Sequence, residues 1–436
     1  MSPTATTAAL PQKRWLYVIP VAAIMYMLAY LDRNNVAVIL PFIGEDPTMQ
    51  LSVADKGLIS GIFFIGYMFL QIPGAIAAQK WSAKKTVLIL MVIWGFAAMA
   101  CGLVANRDQF LVARFFLGVF EGGVWPAVLV LLASWFPLAE RARANALWML
   151  CLPLSSILMA PLSGILLEYF SWRTVLILEG VPPLVWAVVW WFAIADRPSQ
   201  AKWVAPGERE YVETTLAAEE AAKPAVNPKG GYRRALKDSR VLLMIVIYFC
   251  WMTGFYGFSL WLPSVLKNLT GGSSTLVGWL TAIPYLAALA GMVLVSRWSD
   301  RTGNRKLAVA VPLLVGAAAL ILGQFIAMPV VNIVLLCIAA VGIYAPYGPF
   351  WAIPAQFLRI EVLAFSMGLI NALGNLGGFL GPYAIGWLHD ATGSDLVGYL
   401  ALAGILILGS LLTLFGVKGA GPTLTPSVMD PGKVNA

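Results

Sequence analysis

Charged and chemically reactive side chains are scarce in this chain of 436 residues. Asp, Glu, Lys and Arg make up 11% of it, against roughly 25% in soluble domains, while 60% of the residues are apolar and the mean hydropathy is +0.81. There is one histidine, His389, and the four cysteines all fall inside apolar runs. These shortages exclude a disulfide framework and a zinc site. They also leave no metal cluster or polar dyad with which an enzyme could work.

Long apolar runs are what the chain has instead. Windows of about 20 apolar residues, enough to cross a bilayer as a helix, recur along its whole length. Only helices satisfy their own backbone over such lengths in lipid. We therefore predict an all-α, polytopic membrane protein with twelve transmembrane helices, called spans 1–12 below, at 15–38, 57–78, 86–105, 109–133, 144–167, 173–194, 241–264, 275–297, 307–327, 330–353, 363–388 and 397–417.

Basic residues are distributed unevenly between the predicted loops. With a cytoplasmic N-terminus, 23 of the 29 Lys and Arg lie in inner loops, two lie within helices, and the outer loops hold four: Lys56, Arg107, Arg173 and Lys267. This bias predicts a multi-pass protein of the cell membrane with both termini in the cytoplasm. The net charge of +8 is then a property of inner loops, and we expect no nucleic acid partner.

The long polar connection in the middle divides the chain into two groups of six helices. We predict a cytoplasmic N-terminus at 1–14, a six-helix bundle at 15–194, a cytoplasmic linker at 195–240, a second bundle at 241–417 and a cytoplasmic C-terminus at 418–436. The linker contains nine basic residues and the segment EREYVETTLAAEE, which predicts a surface helix. The bilayer is the expected surrounding, and a monomer the expected state.

A repeat relates the two bundles. The loop QKWSAKK begins at Gln79 and the loop DRTGNRK begins at Asp300, so aligning them requires an offset of 221 in the numbering. Pro161 in span 5 and Pro382 in span 11 differ by the same offset. Two landmarks with one offset indicate duplicated six-helix halves.

The second loop resembles the cytoplasmic loop motif of the major facilitator superfamily, and the resemblance implies that fold. In that motif an acid and basic residues hold helix ends together on the inner side. The first copy departs from it, with Gln79 in place of the acid and Ser82 in place of the glycine. The resemblance assigns this conformational latch to Asp300, Arg301, Gly303, Arg305 and Lys306.

Five ionisable residues stand within predicted spans: Asp32, Arg33, Arg114, Glu121 and Glu179. A charge at mid-bilayer costs about 2.5–3.5 kcal/mol on insertion scales, so such groups usually face a cavity and have a function. Arg114 and Glu121 are two helical turns apart and share a face. We predict that Asp32, Glu121 and Arg114 couple transport to protons. A static ion pair that joins spans 1 and 4 is the alternative.

Arg33 is the best candidate to bind an anion, because a guanidinium offers a fixed fork of donors to a carboxylate. It could instead reach the outer surface from its place in span 1. At the positions 221 residues after Asp32, Arg33, Arg114 and Glu121, the second half has uncharged residues. There the candidate binding residues are uncharged, and packing or helix–helix contact is their alternative role: Tyr256, Trp351, Asn371 and Asn375.

Several motifs carry a closer resemblance, to the anion:cation symporter family of the superfamily. They include YLDRNN in span 1, RFFLGVFEGGVWP in span 4, FWAIPAQF in span 10 and INALGNLGGFLGP in span 11. The resemblance implies proton coupling at Asp32 and Glu121 and a substrate carboxylate on Arg33. It also implies substrate contacts at Tyr30, Tyr67, Trp351 and Asn371.

We therefore predict import of a small organic carboxylate by proton symport with alternating access. The proton gradient supplies the energy, and we expect neither a cofactor nor a bound metal. Proton-antiport efflux on the same fold is the nearest alternative, although such antiporters usually carry Gly-Pro in span 5, where this chain has Ala160-Pro161. A second alternative is a receptor that binds the substrate without transporting it.

Overall fold

The computed structural model describes residues 12–43, 46–221, 237–326, 328–357 and 360–417, and in these ranges it contains helices, turns and connections but no strand. Ten helical stretches in that part of the chain are long and apolar enough to cross a membrane. One of them, Val53–Gly102, contains predicted spans 2 and 3, and predicted span 11 is a helix pair interrupted near Asn375. The predicted all-α polytopic fold is confirmed. Residues 1–11, 418–436 and part of the predicted linker lie outside the described residues.

The first six spans form the N-half. Their helices are Lys13–Ile43 (span 1), Val53–Tyr67 with Gln71–Ala77 (span 2), Ala83–Gly102 (span 3), Arg107–Gly122 with Val124–Trp135 (span 4), Leu138–Met149 with Cys151–Tyr169 (span 5), and Trp172–Glu179 with Val181–Ala193 (span 6).

The remaining six spans form the C-half, and a helix at Pro206–Ala221 precedes them in the chain. Their helices are Ser239–Thr270 (span 7), Ser274–Thr302 (span 8), Arg305–Gly323 (span 9), Pro329–Tyr344 with Tyr347–Ala352 (span 10), Ile360–Gly374 with Gly377–Thr392 (span 11), and Asp395–Leu411 (span 12).

The two ends of the spans form two faces of the molecule. We call the basic face the one that carries the start of span 1, the loops 79–85 and 300–306 and the helix Pro206–Ala221. The opposite face carries the other ends. Arg14 fixes the helix Pro206–Ala221 to the N-half, because its buried guanidinium donates to Glu208 at 2.9 Å and to Glu140 at 2.6 Å.

Backbone-to-backbone contacts close the molecule near the opposite face. A Cβ added to Gly57 of span 2 would lie 2.4 Å from the carbonyl oxygen of Pro382 in span 11. A Cβ on Gly278 of span 8 would lie 2.4 Å from the carbonyl oxygen of Ala160 and 3.0 Å from Cα of Pro161 in span 5. Gly57 and Gly278 are separated by the offset of the repeat, so the repeat also relates the two contacts. Only glycine permits such an approach, and the two contacts together seal this face.

Two carboxylates at the opposite face add hydrogen bonds between the halves. Asp390, at the end of span 11, accepts from the backbone N–H of Ala54 at 2.9 Å. Glu168, at the end of span 5, accepts from the hydroxyl of Thr275 at the start of span 8. Ala54 and Thr275 are again separated by the offset of the repeat, so the two bonds hold corresponding ends of spans 2 and 8, although the two acids themselves are 222 residues apart.

The basic face lacks such bonds in the part of the chain that the structure describes. The side-chain hydrogen bonds between the halves lie either at the opposite face or around the cavity described below. The extensive packing between the halves joins span 1 to 7, span 2 to 11 and span 5 to 8. The structure is therefore a state that is sealed towards the opposite face.

The two latch loops use different acids. After span 8, Asp300 pairs with Arg305, whose guanidinium also donates to Ser299 at 2.9 Å, and Gly303 adopts the left-handed φ of +69° that ends the helix. After span 2, Asp196 from the end of span 6 accepts from the hydroxyl of Ser82 at 2.6 Å and from the backbone N–H of Lys84 at 2.8 Å. An acid distant in sequence thus bonds to the loop in which Gln79 replaces the acid of the motif.

The seal generates a first prediction. Gly278→Leu should force spans 5 and 8 apart, because its side chain has no room against the backbone of span 5. The measurement is the labelling rate of a cysteine introduced at Tyr256, with a membrane-impermeant maleimide applied from the opposite face. We expect a several-fold increase over the protein that carries Tyr256→Cys alone.

The matched control is Gly404→Leu in span 12, where an added Cβ meets no atom within 4 Å. It should leave the labelling rate unchanged. Equal labelling in the Gly278 and Gly404 variants would contradict the assignment of the seal.

Candidate functional site

Arg33 lies at the interface between the two halves and is 3% exposed. Its Nη2 forms an ion pair with Oε2 of Glu121 in span 4 at 3.2 Å, and its Nη1 donates to the hydroxyl of Tyr256 in span 7 at 3.5 Å. The guanidinium therefore contacts both halves at once. It does not extend to either surface.

Aromatic rings surround the same guanidinium. Its Cζ lies 4.6 Å from the ring centroid of Tyr67, 5.3 Å from that of Phe63 and 5.5 Å from that of Tyr30. The faces of aromatic rings attract a cation within about 6 Å. The rings therefore stabilise the charge of Arg33. Its Nε is buried and has no hydrogen-bond partner.

Glycines bring span 4 close enough to supply Glu121. A Cβ on Gly118 would lie 2.0 Å from the carbonyl oxygen of Phe63, and one on Gly122 would lie 2.0 Å from that of Tyr67. Spans 2 and 4 therefore touch through their backbones on either side of Glu121.

A small cavity lies beside Arg33 at the interface of the halves. Six of the predicted substrate-binding residues line it, and the others in its wall come from spans 1, 4, 5, 7 and 10. The lining consists of Tyr26, Tyr30, Arg33, Tyr67, Trp125, Leu152, Tyr248, Phe255, Tyr256, Tyr347, Asn371 and Asn375.

An amide network closes one side of this cavity. Oδ1 of Asn371 accepts from the hydroxyl of Tyr248 at 3.3 Å and from Nδ2 of Asn375 at 3.0 Å. Nδ2 of Asn371 donates to Oε1 of Gln71 in span 2 at 3.2 Å, so the network joins the halves. Nε2 of Gln71 is buried and has no partner. The two predicted asparagines thus act as one unit, and they bind both to each other and across the interface.

Asp32 does not join the cavity. Its carboxylate accepts from Nε1 of Trp94 in span 3 at 3.1 Å, within the N-half. Successive residues of a helix point about 100° apart, so Asp32 and Arg33 cannot both face the same opening. Of Asp32, Arg33 and Glu121, only Arg33 lines the cavity, and Glu121 lies behind it in the ion pair with Arg33.

Arg114 contacts the backbone of span 1 and forms no ion pair with the carboxylate of Glu121. Its two terminal nitrogens donate to the carbonyl oxygens of Asp32 and Arg33, each at 3.1 Å. Its Cζ lies 5.2 Å from the ring centroid of Phe63. The geometry makes Arg114 a support that fixes the turn of span 1 from which Arg33 extends.

Trp351 also lies outside the lining. Its ring packs edge-on against Tyr248, with centroids 5.1 Å apart, and so supports a lining residue from behind. Sequence reasoning missed Tyr26, Tyr248 and Tyr347, although a signal was present for two of them. Tyr26 is one helical turn before Tyr30, and Tyr248 is about two turns before Tyr256.

The position of Arg114 generates a second prediction. Arg114→Gln should lower the free energy of unfolding by about 1–3 kcal/mol, because one amide cannot replace both bonds to buried carbonyls. The midpoint of thermal unfolding in detergent measures it, with Arg240→Gln, at an exposed arginine, as the control. An unchanged midpoint together with lost transport would instead place Arg114 in proton coupling.

Comparison with known proteins agrees with this architecture. The family model described as Major Facilitator Superfamily matches residues 22–382 and 265–431. A protein of Agrobacterium vitis named "Putative tartrate transporter" is 34% identical over 403 residues, which cover 91% of this chain and 89% of that protein. A protein of Acinetobacter baumannii named "Quinolone resistance transporter" is 31% identical over 401 residues, covering 91% and 92%.

A solved structure shows the same fold at lower identity. The crystal structure of a D-xylose-proton symporter has a TM-score of 0.73 and 15% sequence identity, and the match covers 93% of this chain and 98% of that one. Fold and relatives are those of transporters and not of enzymes. The chain belongs to the Major Facilitator Superfamily, and its relatives are consistent with organic-acid permeases of the anion:cation symporter type.

Proposed function

We propose that this protein imports a small hydroxylated organic acid together with protons. The observation that carries the proposal is the buried ion pair of Arg33 and Glu121 beside a cavity between the two halves. An arginine in such a place binds a carboxylate in two parallel bonds. Its present partner, Glu121, is itself a carboxylate, so a substrate anion must compete with it for the same guanidinium.

This competition couples the substrate to a proton. When the anion binds Arg33, Glu121 loses its countercharge while it stays buried, and an unpaired buried carboxylate is strongly disfavoured. Taking up a proton makes Glu121 neutral and removes that penalty. Release of the anion restores the pair and expels the proton. Glu121 thus holds a proton when the substrate is bound.

The lining of the cavity supports the substrate class. Apart from Arg33, its polar groups are uncharged hydroxyls and amides, including Tyr30, Tyr256 and Asn371. One guanidinium matches one carboxylate, and the other groups match the hydroxyls of a sugar acid.

The seal supports alternating access. The bias of Lys and Arg towards the basic face makes that face, and both termini, cytoplasmic. In the proposed cycle the state described here is closed to the outside, and spans 2, 5, 8 and 11 part at the Gly57 and Gly278 contacts to load substrate. The protein acts as a monomer, and the proton gradient supplies the energy without a cofactor.

A third prediction concerns Arg33. A thermal-shift screen of the purified protein against sugar acids, tartrate and aromatic acids should identify the substrate, and uptake into proteoliposomes should confirm it. Arg33→Lys keeps the charge but loses the fork, so the affinity for the identified acid should fall about 30-fold or more, equivalent to about 2 kcal/mol.

Arg240→Lys, at an exposed arginine, is the matched control and should bind like the unaltered protein. Unchanged affinity in the Arg33 variant would remove it as the anchor. Binding without uptake or counterflow would make the protein a receptor.

A fourth prediction concerns proton coupling. Glu121→Gln cannot exchange a proton, and we expect it to abolish uptake driven by a pH gradient. Asp32→Asn should do the same if Asp32, which lies behind the cavity, shares the proton. Glu210→Gln, at an exposed glutamate of the surface helix, is the control. Accumulation in Glu121→Gln equal to that of the unaltered protein would end the assignment.

Efflux by proton antiport is a second candidate, because one relative is named a quinolone resistance transporter. The many aromatic rings of the cavity could also receive an aromatic drug. Expression in a drug-sensitive host distinguishes the two functions. Resistance to a quinolone without uptake of any organic acid would favour efflux.

A further inference from the structure

A second buried carboxylate, Glu179, lies apart from the cavity. It ends the first helix of span 6 and is 3% exposed. Its Oε1 accepts from the hydroxyl of Ser163 in span 5 at 2.5 Å, and its Oε2 accepts from Nδ2 of Asn35 in span 1 at 3.0 Å. One carboxyl group therefore joins three spans, and both of its partners are neutral.

The charges in the interior of the N-half do not balance. Apart from the Arg14–Glu208 pair at the basic face, three buried carboxyls, Asp32, Glu121 and Glu179, stand against two guanidiniums, Arg33 and Arg114. Arg33 pairs with Glu121, and Arg114 bonds to the backbone beside Asp32. No Lys or Arg among the described residues forms an ion pair with Glu179. An ionised carboxylate without a countercharge is strongly disfavoured in this position.

The neighbours of Glu179 on each packed span do not supply the missing charge. On span 1, two charged residues lie close in sequence to Asn35, the partner of Glu179. Arg33 is already paired with Glu121, and Asp32 is itself acidic. In the half of the span 3 helix nearer the opposite face, the titratable side chain is the thiol of Cys101. On span 5, Glu168 follows Ser163 by five residues, is itself acidic and accepts from Thr275. A protonated carboxyl can keep both observed contacts, because the oxygen of Ser163 can accept as well as donate.

Glu179 lies nearer to the outside than the cavity does. It is seven residues from Trp172, the first residue of its helix, which places it about 10 Å below the opposite face. Its partner Ser163 precedes Gly164, where an added Cβ would lie 2.5 Å from the carbonyl oxygen of Ser274. Glu179 is therefore bonded to the span 5 segment that contacts span 8 in the seal.

We propose that Glu179 is an additional proton-binding site, which holds one proton while the opposite face is sealed. Its place in transport rests on the proposed function: a proton that stays on Glu179 in this substrate-free state is separate from the proton that Glu121 takes up when the anion binds.

Infrared spectroscopy of the purified protein tests the site without any substrate. A protonated carboxyl has a carbonyl stretch that is separate from the bands of carboxylates. We expect Glu179→Gln to lack one such band that the unaltered protein shows at neutral pH. Glu210→Gln, which removes an exposed glutamate, should lose no band.

Ser163→Ala provides a second variant that keeps Glu179 in place. Removing one hydrogen bond should shift the same band while retaining it, which also tests the site if Glu179→Gln fails to fold. Identical carboxylic-acid spectra for the unaltered protein and both variants would overturn the proposal. This result is independent of uptake, so a failure of the transport proposal is recognised separately by the organic-acid screen.

Discussion

The ion pair of Arg33 and Glu121 is the interaction on which the rest of the site depends. It is almost fully buried, it joins spans 1 and 4, and Arg33 also reaches Tyr256 in the other half. A buried pair is a weak source of stability, because desolvation offsets much of the attraction. Breaking it by removing one partner is costly. In the proposed cycle, the substrate anion replaces Glu121 as the partner of Arg33, and a proton replaces Arg33 as the partner of Glu121.

The fold is symmetric in the contacts that seal the opposite face and asymmetric in its buried charges. The glycine contacts at the opposite face occur twice, once in each copy of the repeat, and a carboxylate bonds the start of both span 2 and span 8. The ionisable residues of the interior occur once, in the N-half, while the C-half contributes Tyr256, Asn371 and Asn375 to the cavity. In the proposed function, the equivalent seals let the two halves rock as similar bodies. The charged half then binds the carboxylate of the substrate, and the other half binds its hydroxyls.

The sequence predicted much of this architecture, because each feature leaves a local pattern. Apolar windows identify the spans, the common offset identifies the halves, and a charge in lipid is conspicuous wherever it occurs. Arg33, Tyr67 and Asn371 therefore reached the cavity as predicted.

Two features could not be predicted from the sequence: the direction in which a side chain points from its helix, and contacts between residues distant in the chain. Asp32 and Arg33 are adjacent, and only packing decides which of them faces the cavity. Asp196 accepts from the backbone N–H of Lys84 in the loop 79–85, although the two residues are 112 positions apart. The sequence of that loop alone therefore suggests that it has no acidic partner. Tyr347 reaches the cavity from a broken helix whose course the sequence leaves open.

Proton uptake on substrate binding tests the central claim most directly. Titration calorimetry of the identified acid at pH 7, in two buffers with different ionisation enthalpies, counts the protons that the protein takes up per anion bound. Displacement of Glu121 from Arg33 predicts an uptake approaching one proton in the unaltered protein and none in Glu121→Gln. Tight binding with no proton uptake in the unaltered protein would contradict the exchange.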